Sequence, residues 1–148
     1  MHADIKKILL VEDNPNDAEL TLEALGEKRL ANEVIWLKDG QEALDFLYCQ
    51  GEYEGRDRIN PVLILLDIKM PRVDGLQVLK QVKSDPKLCT IPVVILTSSR
   101  EEQDLLEGYH SGVNAFVVKP VNFNDFMASV ASLGVFWAVL NEVPATRV

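Results

Sequence analysis

The chain has 148 residues, an apolar fraction of 47% and a formal net charge of −8. That length holds one domain with a real core and is short for two. The acidic balance, with no element that concentrates Lys and Arg, argues against nucleic acid or an anionic membrane as a general partner.

Apolar runs of strand length alternate with stretches of helical periodicity. Lys6-Lys7 is followed by only four apolar residues before Glu12, too few for a signal peptide, and Lys7–Glu12 reads as a first strand. Asn14 is a good N-cap and Pro15 suits the first helical turn. Ala18, Leu22 and Leu25 then share one helix face, and the helix fades near Lys28. Val34–Leu37 is a second strand, and Asp39-Gly40 opens a helix with Ala43, Leu44 and Leu47 inward. Residues 51–61 are polar, charged and Gly-containing, a surface loop. Val62–Leu66 is apolar without alternation, as in a strand covered on both faces. Met70-Pro71 and Asp74-Gly75 bracket a turn before a helix carrying Leu76, Leu79 and Val82. Val93–Leu96 is the fourth strand. Glu101–His110 is helical, acidic at its start, and ends at Gly112. Ala115–Val118 is the fifth strand, and Asn122 or Asn124 caps a last helix reaching about Leu140. The run Val130 to Leu140 is too short to span a bilayer. Cys49 and Cys89 lack metal-ligand spacing and read as reduced thiols of a cytoplasmic protein.

Five βα units imply a parallel sheet with helices on both faces, although the strand order does not follow from the units alone. One domain is expected over 1–143, with a frayed tail at 144–148.

Four of the strands end in a chemically useful side chain: Glu12-Asp13, Asp67, Thr97 and Lys119. Ligands of an open parallel sheet bind outside the carboxyl ends of its strands, so these residues nominate one site. Three carboxylates brought together must raise their pKa values or bind a cation. A few hard oxygen ligands suit Mg²⁺. Carboxylate, metal, lysine and hydroxyl together suit phosphoryl transfer with Asp67 as acceptor, because metal and Lys119 neutralise charge on the transferred oxygens. Taken singly, Asp17 reads as first-turn helix decoration, His110 as surface or packing, and Trp36 as core.

These motifs resemble the receiver domains of two-component response regulators. They are Ile8-Leu9-Leu10-Val11-Glu12-Asp13-Asn14, Leu66-Asp67-Ile68-Lys69-Met70-Pro71 with Asp74-Gly75, Leu96-Thr97-Ser98, and Lys119-Pro120. The set covers nearly the whole chain in family order. The resemblance implies a flavodoxin-like (βα)5 doubly wound sheet of order 2-1-3-4-5. It implies that Asp67 is the phosphoacceptor and that Glu12, Asp13, Asp67 and the backbone carbonyl of Lys69 hold Mg²⁺. It also implies Thr97 as the switch hydroxyl, Lys119 as the lysine that pairs with the phosphoryl group, Phe116 at the switch-aromatic position, and a cis Lys119-Pro120 bond. The function implied is a phosphorylation switch rather than a turnover enzyme. A histidine kinase serves it, and output passes to a downstream or phosphotransfer protein. The insertion 51–61 and the C-terminal Phe136-Trp137 look like regulators that partner phytochrome-type kinases.

Met127, Val130, Leu133 and Trp137 follow helical spacing, while Val135, Phe136 and Val139 add apolar surface elsewhere on the last helix. A homodimer through that helix is expected. Two other chemistries fit less well. An aspartyl-phosphate hydrolase wants an acid two residues after the nucleophile, where Lys69 stands. A nucleotide or flavin binder wants glycines after the first strand, where Asp13-Asn14-Pro15-Asn16 stands.

Overall fold

Successive strand residues point to opposite faces, so a strand buried on both sides must be apolar at every position. That is the state of β1 (Lys7–Val11), β3 (Leu63–Asp67) and β4 (Val93–Thr97), whose residues are buried almost throughout. They form the middle of a five-stranded sheet completed by β2 (Glu33–Leu37) and β5 (Ala115–Val118). All pairs are parallel, in the order β2-β1-β3-β4-β5. The computed structural model describes residues 7–26, 33–68, 70, 73–107 and 115–134.

The two faces of the sheet have separate cores. Leu9, Val11, Ile64, Leu66, Val93 and Ile95 pack on Ala43, Phe46 and Leu47 of α2 (Gly40–Leu47) and on Val78, Leu79 and Val82 of α3 (Gly75–Ser84). Their neighbours Ile8, Leu10, Leu63, Leu65, Val94 and Leu96 pack on Ala18 and Leu25 of α1 (Pro15–Gly26) and on Phe126, Met127 and Val130 of α5 (Phe123–Ser132). Each fully buried Leu or Ile contributes about 1.5–3 kcal/mol relative to an exposed one. α4 (Arg100–Glu107) lies against β4 and β5. The expected architecture and strand order are both present.

Local signals set the helix starts. Asn14 Oδ1 accepts from the Asp17 N–H at 3.0 Å, and Asp39 Oδ1 accepts from the Glu42 N–H at 2.8 Å. Asp74 and Gln77 form a reciprocal capping box on α3. Of the two asparagines offered for α5, Asn122 is the cap, accepting from the Asp125 N–H at 2.8 Å. Such caps are worth about 1 kcal/mol each.

Residues 51–61 are more ordered than a plain surface loop. A 3₁₀ turn spans Gly51–Tyr53, and the Tyr53 hydroxyl donates to Glu42 Oε2 at 2.7 Å. The Arg56 guanidinium lies 4.0 Å from the Phe46 ring centroid, and its Nε donates to the Phe46 carbonyl at 2.9 Å. Asn60 Nδ2 reaches the Lys87 carbonyl at 2.9 Å, tying the loop to the segment before β4. Nothing in the polar composition of this stretch announces those ties.

Some expectations fall outside the described residues: the end of the first helix near Lys28, Lys69, Pro71, His110 and Gly112, the last helix beyond Gly134 with Trp137, and the tail. Within α5, Phe126, Met127, Ser129 and Val130 are buried. Both cysteines are free, Cys49 buried and Cys89 half-buried. Among the described residues no helix is long and apolar enough to cross a membrane.

Candidate functional site

Register places the chemistry. Val11 pairs with Leu66, so the next residues, Glu12 and Asp67, leave the sheet side by side. Asp67 in turn pairs with Leu96, and Thr97 with Val118, which brings Thr97 and Lys119 to the same end. The Lys119 N–H donates to the Thr97 carbonyl at 2.7 Å, and the Lys119-Pro120 bond is cis, as expected. Gly75 lets α3 begin directly against β3: a Cβ there would collide with the Asp67 carbonyl oxygen and the Ile68 Cα. Its N–H instead donates to the Ile68 carbonyl at 3.0 Å. At this position the backbones approach too closely for any other residue.

The cleft encloses about 200 Å³ and is lined by Glu12, Asp13, Asn14, Asp17, Asp67, Ser98, Glu102 and Lys119. Glu12 is fully buried and Asp67 is 6% exposed. Glu12, Asp13 and Asp67 each offer a carboxylate oxygen, and these oxygens lie within 4.8 Å of one another. Among the described residues of the cleft, one cation faces them. Lys119 Nζ donates to Glu12 Oε1 at 3.1 Å and to Asp17 Oδ2 at 3.0 Å, and lies 3.1 Å from Asp67 Oδ1. Glu12 Oε2 also accepts from the Asn14 N–H at 3.1 Å.

These acids are not at rest. Burial, then the charge of Asp67, pushes the Glu12 carboxyl above the usual carboxylate range, against the pull of the Asn14 N–H and Lys119. Burial also raises Asp67, with Asp13 adding to it and Lys119 opposing. For Lys119, burial alone would lower the pKa, but the bond to Asp17 and the charges of Asp67 and Glu12 outweigh it and the ammonium is strengthened. Thr97 is fully buried, and its Oγ1 has no hydrogen-bond partner among the described residues. A buried hydroxyl without a partner costs about 1–3 kcal/mol.

An all-oxygen set of three clustered carboxylates, two of them strained in their ionised form, fits a hard divalent cation. A cation there would offset both the burial and the carboxylate repulsion that raise Glu12 and Asp67.

The structure therefore brings Glu12, Asp13, Asp67 and Lys119 into one cleft, with Thr97 at the same sheet end. Phe116 stands apart. It pairs with Ile95, is half-buried, and lines a separate groove of about 360 Å³ with Arg100, Gln103 and Ser129. Sequence reasoning missed two participants. Asp17 is not mere helix decoration, since its carboxylate holds Lys119. A hint existed, because the first turn of α1 follows β1 at the sheet end that carries Lys119. Trp36 is half-buried against the core, but its indole Nε1 also donates to the Glu12 carbonyl at 2.7 Å and fixes the backbone at the site. No pattern in the sequence signals that bond.

Comparison with known proteins identifies relatives of the chain and of its fold. The family model "Response regulator receiver domain" matches residues 8–131. The chain is similar to the solved bacteriophytochrome response regulator AtBRR, with 58% identity, a TM-score of 0.89, and coverage of 95% of this chain and 100% of that one. Response regulator Rcp1 of Synechocystis sp. is 42% identical over 140 residues, 95% of this chain and 94% of Rcp1. The solved Mn²⁺-bound form of Rcp1 has 43% identity and a TM-score of 0.70, and the match covers 89% of this chain and 94% of that one. The phosphorylated cyanobacterial phytochrome response regulator RcpA has 41% identity and a TM-score of 0.71, over 91% of this chain and 95% of that one.

Proposed function

The chain belongs to the response regulator receiver domain family, a signalling family phosphorylated by histidine kinases, and on that footing we propose that Asp67 is the residue that takes the phosphoryl group. The observation that carries this reading is the placement of Asp67: buried at the end of β3, clustered with Glu12 and Asp13, and 3.1 Å from Lys119. An Asp67 carboxylate oxygen attacks the phosphorus of a kinase phosphohistidine. The P–N bond breaks, the imidazole leaves with the electron pair, and an acyl phosphate forms. Receiver domains bind a divalent metal, and here Mg²⁺ would be held by Glu12, Asp13 and Asp67 with the Lys69 carbonyl. When bound, it supplies positive charge to the transferred oxygens. Lys119 adds a second positive charge beside them. The hydroxyl of Thr97, without a partner among the described residues, is a donor that turns to the phosphoryl group. That turn vacates volume at the end of β4, into which the Phe116 ring moves, and the groove between α4 and α5 changes shape.

The protein works in the cytoplasm as a switch rather than a turnover enzyme. Its kinase is of the phytochrome type, a reading supported by the names of AtBRR and RcpA. Output passes to a downstream or phosphotransfer protein. A homodimer forms through the C-terminal helix region. Within that region Met127 and Val130 are buried in the chain's own core and Leu133 packs against it. Sedimentation of a monomer at high concentration, with and without phosphorylation, would remove the dimer from this reading.

Intact mass after incubation with acetyl phosphate tests the central role. The expected result is a Mg²⁺-dependent gain of one phosphoryl group in the wild type and none in Asp67→Asn. Uptake by the variant, or none by the wild type where a known receiver is modified, would overturn it.

A further inference from the structure

An ammonium has three N–H donors, and Lys119 points one at each of three carboxylates: Glu12, Asp67 and Asp17. Two of these belong to the proposed metal cluster, whereas Asp17 does not. The lysine and an incoming divalent cation therefore compete for the same Glu12 and Asp67 oxygens and repel each other across a few ångströms.

Asp17 is built to hold its place. Its N–H is capped by Asn14 Oδ1 at 3.0 Å, and Asn14 in turn donates its own N–H to Glu12. The next residue, Ala18, is fully buried and anchors this turn of α1 to the sheet. The Asp17 side chain is 38% exposed, so its ionised form keeps water contact while its Oδ2 faces the lysine. Most of the described residues that line its cleft are acidic, and Lys119 is the one cation among them.

We infer that Asp17 is a positioning residue for the metal and phosphoryl chemistry: it anchors the Lys119 ammonium on the α1 side of the cleft, so that Glu12 and Asp67 can turn their oxygens to the divalent cation. This rests on the metal site given under Proposed function. Without Asp17, both remaining partners of Lys119 are metal ligands, and the full lysine charge bears on them. Partners just outside a metal's ligand shell typically change affinity by about 10–100-fold. With Asp17 partly exposed, the low end applies, about tenfold.

The experiment is calorimetric titration of the full chain with Mn²⁺ in four proteins: wild type, Asp17→Asn, Lys119→Met and the double variant. Asp17→Asn is expected to bind Mn²⁺ about tenfold more weakly than wild type. In the Lys119→Met background the same substitution is expected to change affinity less than twofold, because the charge it manages is gone. Equal affinity of wild type and Asp17→Asn overturns the inference. So does an equal loss in both backgrounds, which would make Asp17 a general negative charge acting without the lysine. Asp17→Ser, which removes the carboxylate differently, gives the same comparison should the Asn variant fail circular dichroism. Absence of saturable binding by the wild type would instead fell the metal site itself, and is distinguishable because all four proteins would then be silent.

Discussion

Two regions of the molecule treat polar groups in opposite ways. Around residues 42–60 and 85–88 polar groups are matched. Tyr53 donates to Glu42, Tyr48 donates to Asp85 at 2.7 Å, Arg56 covers Phe46 while reaching two carbonyls, and Asn60 ties to Lys87. At the carboxyl ends of the strands the matching fails. Glu12 and Asp67 are buried beside each other, one lysine answers three acids, and Thr97 Oγ1 has no partner among the described residues. The difference teaches where stability and function are kept. Satisfied polar groups hold a shape, while unsatisfied ones are held in readiness for something that arrives. Under the proposed function, what arrives at this end is a divalent cation and a phosphoryl group.

The sharpest way to separate the two regions is Phe46→Ala. The ring is 3% exposed, under the Arg56 guanidinium and edge-on to Tyr53 at 5.1 Å. Its loss is expected to cost about 3–4 kcal/mol in urea unfolding. Metal affinity should stay within about twofold at temperatures where the variant is folded, because Phe46 packs in the core shared with α3 and does not line the cleft. A large loss of affinity would mean that the matched region is coupled to the reactive one.

A smaller effect of opposite sign is expected from Thr97→Val. The isostere keeps the volume and removes the unpartnered hydroxyl, so the unphosphorylated protein should gain up to about 1 kcal/mol. It should still take a phosphoryl group on Asp67 but transmit it poorly, read as a smaller change in hydrogen exchange over β5 and α5. A loss of stability would show that the hydroxyl does have a partner in solution.

Much of this contrast was legible in the sequence, and unevenly. Strands buried on both faces leave an unbroken apolar run, and the residue that ends the run is placed by geometry, so Glu12, Asp67, Thr97 and Lys119 could be named together. Topology follows from the family pattern rather than from any run. What stayed hidden depends on pairs far apart in sequence. Asp17 meets Lys119 across 102 positions, Trp36 meets Glu12 across 24, and Asn60 meets Lys87 across 27. Each is a polar residue with several ordinary local uses, and only the folded sheet selects among them. Residues 51–61 read as a loop because their order comes from Tyr53 and Arg56 packing on α2, not from periodicity.

Under the proposed function, the acids at the strand ends destabilise the metal-free protein and so stand ready for a cation. The unfolding free energy of wild type and Asp67→Asn, in chelator and in Mg²⁺ at neutral pH, tests this most directly. The folded pKa of Asp67 is raised above its unfolded value. Its ionised form therefore costs stability above that folded pKa, and the cost disappears as pH falls through it toward the unfolded value. In chelator Asp67→Asn is expected to be the more stable by roughly 1 kcal/mol. The gap should shrink on acidification, and Mg²⁺ should stabilise wild type more than the variant. A wild type that is already the more stable without metal, and indifferent to Mg²⁺, would contradict this reading.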